Sequence, residues 1–323
     1  MADMPRILRV DDLRPLLAIG PLIEPMRQAF RQASLGRSAS PIAVLHPTAK
    51  SDMHVKSATL DGAPIFTVKM AGWSQDRADR GLPPTTGMIA VYDSATCELR
   101  ALLDDEHLIS DYRTAAAGAL VADALARSDA STLTVVGTGA QARLQAEAVC
   151  LVRDIDRVLF WGRDAEKAGA LAADLAATLG KPTVTNAADL GAATAASDVI
   201  VCATAAKDPV LRGEWLRPGQ HVTSVGSDDA TKAELSADCF ARADLVVVDS
   251  LDAAGRYGSL ARAAFSREGG IEGRTQAPVA EIGTLLNEGR LRREAPDHIT
   301  VASLVGLGVQ DLAAILALKD KLW

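Results

Sequence analysis

Thr132-Leu133-Thr134-Val135-Val136-Gly137-Thr138-Gly139-Ala140-Gln141-Ala142-Arg143-Leu144-Gln145-Ala146 decides the fold. A β-rich apolar run feeds Gly137-x-Gly139-x-x-Ala142, and helix-forming residues follow at once. A dinucleotide pyrophosphate needs this order. Gly137 permits the tight turn, Gly139 lets backbone approach phosphate, and Ala142 allows close helix–strand packing. A helix opening near Ala140 presents free N–H groups and a positive dipole end, with the N–H groups of Thr138, Ala140 and Gln141 near the anion. Glycine turns are common, so the signal rests on the strand before and the helix after.

Outward from this stretch, short β runs alternate with alanine-rich helical stretches, the pattern of a parallel α/β sheet. Strands are expected at Leu133–Val136, Arg157–Trp161, Val199–Ala203, Val222–Val225 and Leu245–Val248, with helices at Ala165–Leu179 and Ala187–Ala196. The segment before this block has a different texture. Residues 18–35 read as an amphipathic helix. Ile42–His46, His54–Ala58, Ile65–Met70, Gly87–Tyr92 and Arg100–Leu103 read as strands of an antiparallel or mixed sheet, with turns at Asp61-Gly62 and Tyr92-Asp93-Ser94. A strong helix over 111–128 bridges the two blocks. A terminal helix, Val309–Leu322, is placed to return to the first block and make it discontinuous.

With 323 residues, two domains are expected. Apolar residues at 48% and charged ones at 23% are ordinary globular usage, so a core can form. The net charge of −7 argues against nucleic acid or an anionic membrane as partner. No apolar run reaches the ~20 residues of a membrane span, and the N-terminus has no signal-peptide pattern. Cys97, Cys150, Cys202 and Cys239 are scattered without metal-ligand spacing, so no metal site is expected and a reducing, cytoplasmic setting is.

Five landmarks together resemble the ornithine cyclodeaminase/μ-crystallin family: Phe66-Thr67-Val68-Lys69, Arg113-Thr114-Ala115-Ala116, the Gly137 loop, Gly226-Ser227-Asp228-x-x-x-Lys232-x-Glu234-Leu235, and Ile299-Thr300-Val301 leading to Gly308-Val309-Gln310-Asp311. The resemblance implies a Rossmann-type parallel-sheet domain over 119–304. It also implies an α+β substrate-binding and dimerisation domain built from 1–118 and 305–323, with the active site between them. It implies NAD(P) chemistry at an α-amino or α-imino acid in a homodimer. Family activities include ornithine cyclodeamination, cyclic ketimine reduction, alanine dehydrogenation and iminosuccinate reduction, and some members chiefly bind a ligand. The family therefore leaves the reaction open.

Reducing a C=N bond beside a carboxylate requires a carboxylate clamp, a protonated imine and a placed nicotinamide. Arg113 is the expected clamp, since a guanidinium fork matches a carboxylate, although a surface arginine at a helix start is the plain alternative. By resemblance, Lys69 joins it and helps in proton transfer; a strand-end surface lysine is the plain reading. Asp228 follows a strand at the carboxyl edge of the sheet and is expected near the substrate nitrogen and the cofactor. Lys232 and Glu234 read as structural, with solvated helix-start charges as the plain alternative. His46, His54, His107, His221 and His298 read as surface or packing residues.

The place where an acid would hold the ribose hydroxyls of NAD is taken by Gly162, followed by Arg163, which favours NADP(H) over NAD(H). Ala203 and Thr204 are expected on the nicotinamide side, and Thr114 among the cofactor-binding residues. Ornithine-type cyclodeaminases place a glutamate where an ungapped reading puts Lys56. A lysine there would repel a second ammonium or bind an extra carboxylate, unless it is a plain edge lysine. No arginine stands in 40–50 to supplement the clamp. The leading expectation is an NAD(P)H-dependent α-imino acid reductase. The alternatives are a cyclodeaminase lyase and a catalytically silent binding protein.

Overall fold

The computed structural model describes residues 4–263 and 277–322. The chain divides into two compact units, one running to Arg113 and resuming at Leu307, the other Thr114–Gly306.

The first unit opens with β1 (Arg6–Arg9), α1 (Val10–Leu13), α2 (Ile19–Ser34), β2 (Ser38–Ala39), β3 (Ile42–Thr48), β4 (Ser51–Leu60), β5 (Ile65–Ser74), α3 (Gln75–Asp79), β6 (Thr85–Asp93) and β7 (Leu99–Asp104). Its sheet runs β1-β7-β6-β5-β4-β2, with β3 also on β4. All pairs are antiparallel except β1 with β7, so the sheet is mixed. Four-residue β1 carries no alternation long enough to be read in advance. Along β4 and β5 the alternation has an unusual sense. The inner face holds Asp52, His54, Lys56, Thr67 and Lys69, all buried, whereas Met53, Val55, Phe66, Val68 and Met70 lie on the more open face.

The helix α4 (Leu108–Leu125) leads into the second unit. It begins three residues before the expected start because Asp105 accepts hydrogen bonds from the N–H groups of His107 and Ile109 and caps it. The second unit then alternates β8 (Thr132–Val136), α5 (Ala140–Val152), β9 (Arg157–Trp161), α6 (Ala165–Leu179), β10 (Thr183–Asn186), α7 (Leu190–Ala196), β11 (Val199–Cys202) and β12 (His221–Ser224). It continues with α8 (Ala237–Ala241), β13 (Leu245–Val248), α9 (Leu251–Arg256), α10 (Gly258–Arg262), β14 (Val279–Glu281), α11 (Ile282–Asn287) and β15 (Thr300–Ser303). The sheet is parallel throughout, in the order β10-β9-β8-β11-β12-β15-β13-β14. From β8 the chain moves outward through β9 and β10, then returns to β11 on the other side. The carboxyl ends of β8 and β11 therefore flank the switch point at which open α/β sheets collect ligands. β10, β14 and β15 were not among the expected strands; each has three or four residues, too few to show a period.

His221 lies at the base of β12, fully buried, between the hydroxyls of Thr300 and Thr223 at 2.9 Å each. Burial, aided by Arg293 and Arg153, lowers its pKa to about 3, so the ring is neutral and structural. The four cysteines are free thiols. Among the described residues, no helix is long and apolar enough to cross a membrane. The last helix, α12 (Gly308–Leu322), rejoins the first unit. It lies on β4, β5 and α2, burying Val309, Leu312, Ile315 and Leu318. Each such side chain removed from water contributes roughly 1.5–3 kcal/mol.

Candidate active site

In the first unit, antiparallel register places Lys56 of β4 directly opposite Lys69 of β5, on the inner face. Lys69 is 3% exposed, Lys56 4% and Arg113 5%, so neither strand lysine is a surface residue and Arg113 is not a surface arginine. Lys69 and Arg113 meet at one carboxylate, Asp311 of α12. Lys69 Nζ lies 2.7 Å from Asp311 Oδ2, and Arg113 Nε donates to Oδ1 at 2.9 Å. Ser110 Oγ donates to the same Oδ1 at 3.1 Å and accepts from Lys69 Nζ at 2.6 Å. Arg113 Nη1 donates to Gln310 Oε1 at 3.3 Å, and Gln310 Oε1 also takes the Leu307 N–H at 2.7 Å. The guanidinium is thus held along its Nε edge and at Nη1, a posture that leaves Nη2 without a hydrogen bond among the described residues.

Two forces compete over Lys69. Burial pulls its pKa below the ordinary lysine value, Asp311 pushes it back up, and Arg113 adds to the lowering. Burial opposes ionisation of Asp311, but Arg113 and Lys69 outweigh it and hold the carboxyl well below the usual carboxylate range. Two cations thus share one buried, hydrogen-bonded carboxylate.

In the second unit, Gly137 adopts φ +136°, and a Cβ there would lie 2.4 Å from the Ala203 carbonyl oxygen. Only glycine fits. Gly139 caps the 13-residue helix α5 with no side chain over the cap, and a Cβ on Gly139 would meet nothing within 4 Å. Ala142 is fully buried behind the turn. Open space beside an uncapped helix N-terminus suits a pyrophosphate, so the residues present fit a dinucleotide. Gly162 presses on Thr138, since its Cβ would come 2.5 Å from Thr138 Cγ2, and Arg163 beyond it is exposed. Asp164 is committed to α6, accepting from the N–H groups of Glu166 and Lys167 at 3.1 Å each. Gln145, buried beneath Gly118, donates to the Thr114 carbonyl at 3.1 Å and to Gln141 at 3.3 Å.

Asp228 follows β12, one-third exposed, and pairs with Lys232 Nζ at 2.8 Å. Asp229 is buried instead and folds the turn, accepting from Thr231 and from Lys232 N. Lys232 and Glu234 are not solvated helix-start charges, the plain alternative: among the described residues no helix starts there and both are buried. Glu234 accepts four hydrogen bonds, from Thr204 N, Thr204 Oγ1, Ser224 Oγ and Gly226 N. Its burial pushes the carboxyl pKa up, and the donors pull it down. It joins the segments that leave β11 and β12. Gly226 has no room for a side chain there, because a Cβ would fall 2.0 Å from Thr204 O.

Sequence reasoning named Lys69, Arg113, Lys56 and Asp228 and read Glu234 as structural, but assigned no role to Asp311, Gln310 or Ser110. Asp311 had a signal available: it is an acid set among the apolar positions of the terminal helix. Ser110 had none.

The ornithine cyclodeaminase/mu-crystallin family model matches residues 4–323. A Rhizobium meliloti protein whose name proposes it as a dehydrogenase is 41% identical over 83% of this chain and 79% of its own length. A Delta(1)-pyrroline-2-carboxylate reductase of Bacillus cereus is 31% identical over 98% of this chain and 96% of its own. The structure of Thermococcus litoralis Delta(1)-pyrroline-2-carboxylate reductase in complex with NADH and L-proline superposes with a TM-score of 0.89 at 26% identity, covering 98% of this chain and 97% of that one. Motifs, fold and relatives agree along nearly the whole length: the chain belongs to the ornithine cyclodeaminase/mu-crystallin family.

Proposed function

We propose that this chain reduces the C=N bond of an α-imino acid with NAD(P)H. The observation that carries the reading is the buried Lys69–Arg113 pair, two cations sharing a single internal carboxylate. A substrate carboxylate supplies the missing negative charge, taking Arg113 Nη2 and the Lys69 ammonium. The nicotinamide, when bound, supplies the two electrons and one hydrogen that the imine carbon gains. The chain supplies the rest. Gly137, Thr138, Gly139, Ala140 and Gln141 hold the pyrophosphate through backbone N–H groups, and Thr114, Ala203 and Thr204 border the nicotinamide. Asp228 accepts a hydrogen bond from the protonated imine nitrogen, which favours the form that accepts electrons, and Lys69 is the proton source beside the carboxylate. Similarity to relatives named as pyrroline-2-carboxylate reductases supports the reaction class.

The exposed Arg163 after β9 favours NADP(H), with Asp164 beyond it turned to the cap of α6. Lys56 disfavours a substrate with a distal ammonium, which separates this chain from ornithine-type cyclodeaminases. The open sheet face supports a homodimer: Met70 is 38% exposed, its strand neighbours are Val55 and Met88, and the Phe66 and Tyr92 rings stack at 5.1 Å. Four free thiols fit a reducing cytoplasm.

The test is a steady-state screen of pyrroline-2-carboxylate, piperideine-2-carboxylate, and pyruvate or oxaloacetate with amines, run with NADH and with NADPH. Cofactor oxidation with at least one is expected. Ammonia release from ornithine without net cofactor oxidation, or no turnover at all, overturns the reading.

A further inference from the structure

Lys69 and Arg113 are held close together away from water, an arrangement that works against the charge of each. Of a guanidinium and an ammonium, the ammonium is the one whose proton burial readily removes, so the lysine is the member that yields. The charged and titratable groups around Lys69 come from every neighbouring element of the first unit. Lys56, His54 and Asp52 line the same face of β4, and β6 contributes the apolar Ile89. Asp105 stands ahead of α4 and is occupied in capping that helix, while burial pushes its carboxyl towards the neutral form. Arg113 and Ser110 come from α4 itself, and Asp311 from α12. Of these groups, Asp311 is the one whose carboxylate touches both Lys69 and Arg113.

We propose that Asp311 is a positioning residue that keeps Lys69 an ammonium and fixes Arg113 along its Nε edge, so that the clamp stays charged at the pH where an imine is reduced. The proposal rests on the carboxylate-clamp reading above. Three features of the contact support it. The two carboxylate oxygens are divided between the cations, Oδ1 to Arg113 and Oδ2 to Lys69. Ser110 bridges the same ammonium and the same Oδ1, which fixes the geometry without adding charge. Gln310, the preceding residue on α12, holds Arg113 Nη1, so adjacent residues of one helix set the guanidinium plane. Coulombic attraction from Asp311 works against the loss of the Lys69 proton caused by burial.

The consequence is specific. Asp311→Asn keeps the shape and one acceptor oxygen but removes the charge and turns the other oxygen into a donor, so Lys69 loses its proton at lower pH. Because one pKa unit is tenfold in protonation, the alkaline limb of kcat/KM should move down by at least about one pH unit, with a roughly tenfold loss along that limb and near-parental activity on its acid side. A merely structural defect lowers activity evenly across pH. Ser110→Ala, which disturbs packing without removing charge, should leave the limb in place.

The deciding measurement is the titration of Lys69 itself by NMR of ¹³C-lysine protein, its signal identified by its absence in Lys69→Met. Lys69 is expected to titrate at least about one unit lower in Asp311→Asn than in the parent. Equal titration in the two proteins overturns the proposal. If the variant does not fold, the parent still decides, since a Lys69 already neutral at about pH 7 overturns it and an ammonium sustains it. A shifted Lys69 in a protein that turns over no imino acid sustains the role of Asp311 and refutes the proposed reaction instead.

Discussion

Glu234→Gln is the sharpest probe of the junction between β11 and β12. The carboxylate gives Oε1 to Thr204 N and Thr204 Oγ1, and Oε2 to Ser224 Oγ and Gly226 N. Glutamine keeps one oxygen and turns the other into a two-proton donor. The Thr204 and Ser224 hydroxyls can rotate to accept, but a backbone N–H cannot. Whichever way the amide is oriented, either Thr204 N or Gly226 N faces a donor. An orphaned buried donor costs about 1–3 kcal/mol, and losing a charge-assisted bond adds to it. Relief of burying a charge offsets part, so a net loss of about 2–3 kcal/mol is expected. The cheapest escape is for the Thr204 or Gly226 segment to move, and Asp228 lies two residues beyond Gly226. Misplacement by ~1 Å at a reacting centre costs up to ~100-fold. Steady-state kinetics should therefore show kcat/KM down by about 10–100-fold, with a lowered urea midpoint for unfolding. Activity within about two-fold of the parent, with an unchanged midpoint, would mean the four bonds do not position the site.

Gly137→Ala should abolish cofactor binding, read by quenching of protein fluorescence on NADPH addition, because the substitution is strained at φ +136° and collides with the Ala203 carbonyl. Arg163→Ser should lower kcat/KM with NADPH about tenfold and leave NADH unchanged; equal loss with both would remove Arg163 from cofactor choice. His221 gives a pH signature. Its folded pKa of about 3 lies below the ordinary 6.5, so the unfolded chain takes up a proton first as pH falls. Its contribution is complete above the unfolded value and is lost through the window down to the folded one, at most about 1.4 kcal/mol per pH unit. Urea unfolding of the parent and of His221→Asn should therefore diverge in slope below about pH 6.5, and parallel curves would contradict the buried neutral ring. Met70→Glu, which places a charge on the open sheet face, should convert dimer to monomer in sedimentation velocity; an unchanged sedimentation coefficient would move the interface elsewhere.

How much could be read in advance depended on the distance between cause and effect along the chain. The Gly137 turn and α5 are local, with the strand, the two glycines and the helix adjacent, and the structure shows them within a residue or two of expectation. The five parallel strands flanked by clear helices were legible for the same reason. β10, β14 and β15 escaped because three or four residues carry no period, and β1 because a short edge strand gains its identity from its partner β7. Lys69 and Lys56 could be singled out, but their facing positions depend on the register of β4 with β5. Asp311 meets Arg113 across 198 residues, a separation that local pattern cannot bridge. Glu234 read as structural, but its partners were not legible, because the four donors on its carboxylate come from two separate segments, one after β11 and one at the end of β12.

The discontinuity of the first unit also matters while the chain is being made. The sheet bearing Lys56 and Lys69 emerges early, whereas α12, which seals it and carries Asp311, emerges last. At ribosomal rates of about 5–20 residues per second, the 198 positions between Arg113 and Asp311 take roughly 10–40 s. Throughout that interval the nascent half-unit holds an open apolar seat and cations lacking their counter-ion. The second unit is itself complete only once β15, which lies inside its sheet, has emerged a few residues before α12, so a holdase that shelters the early sheet should raise the yield of native protein.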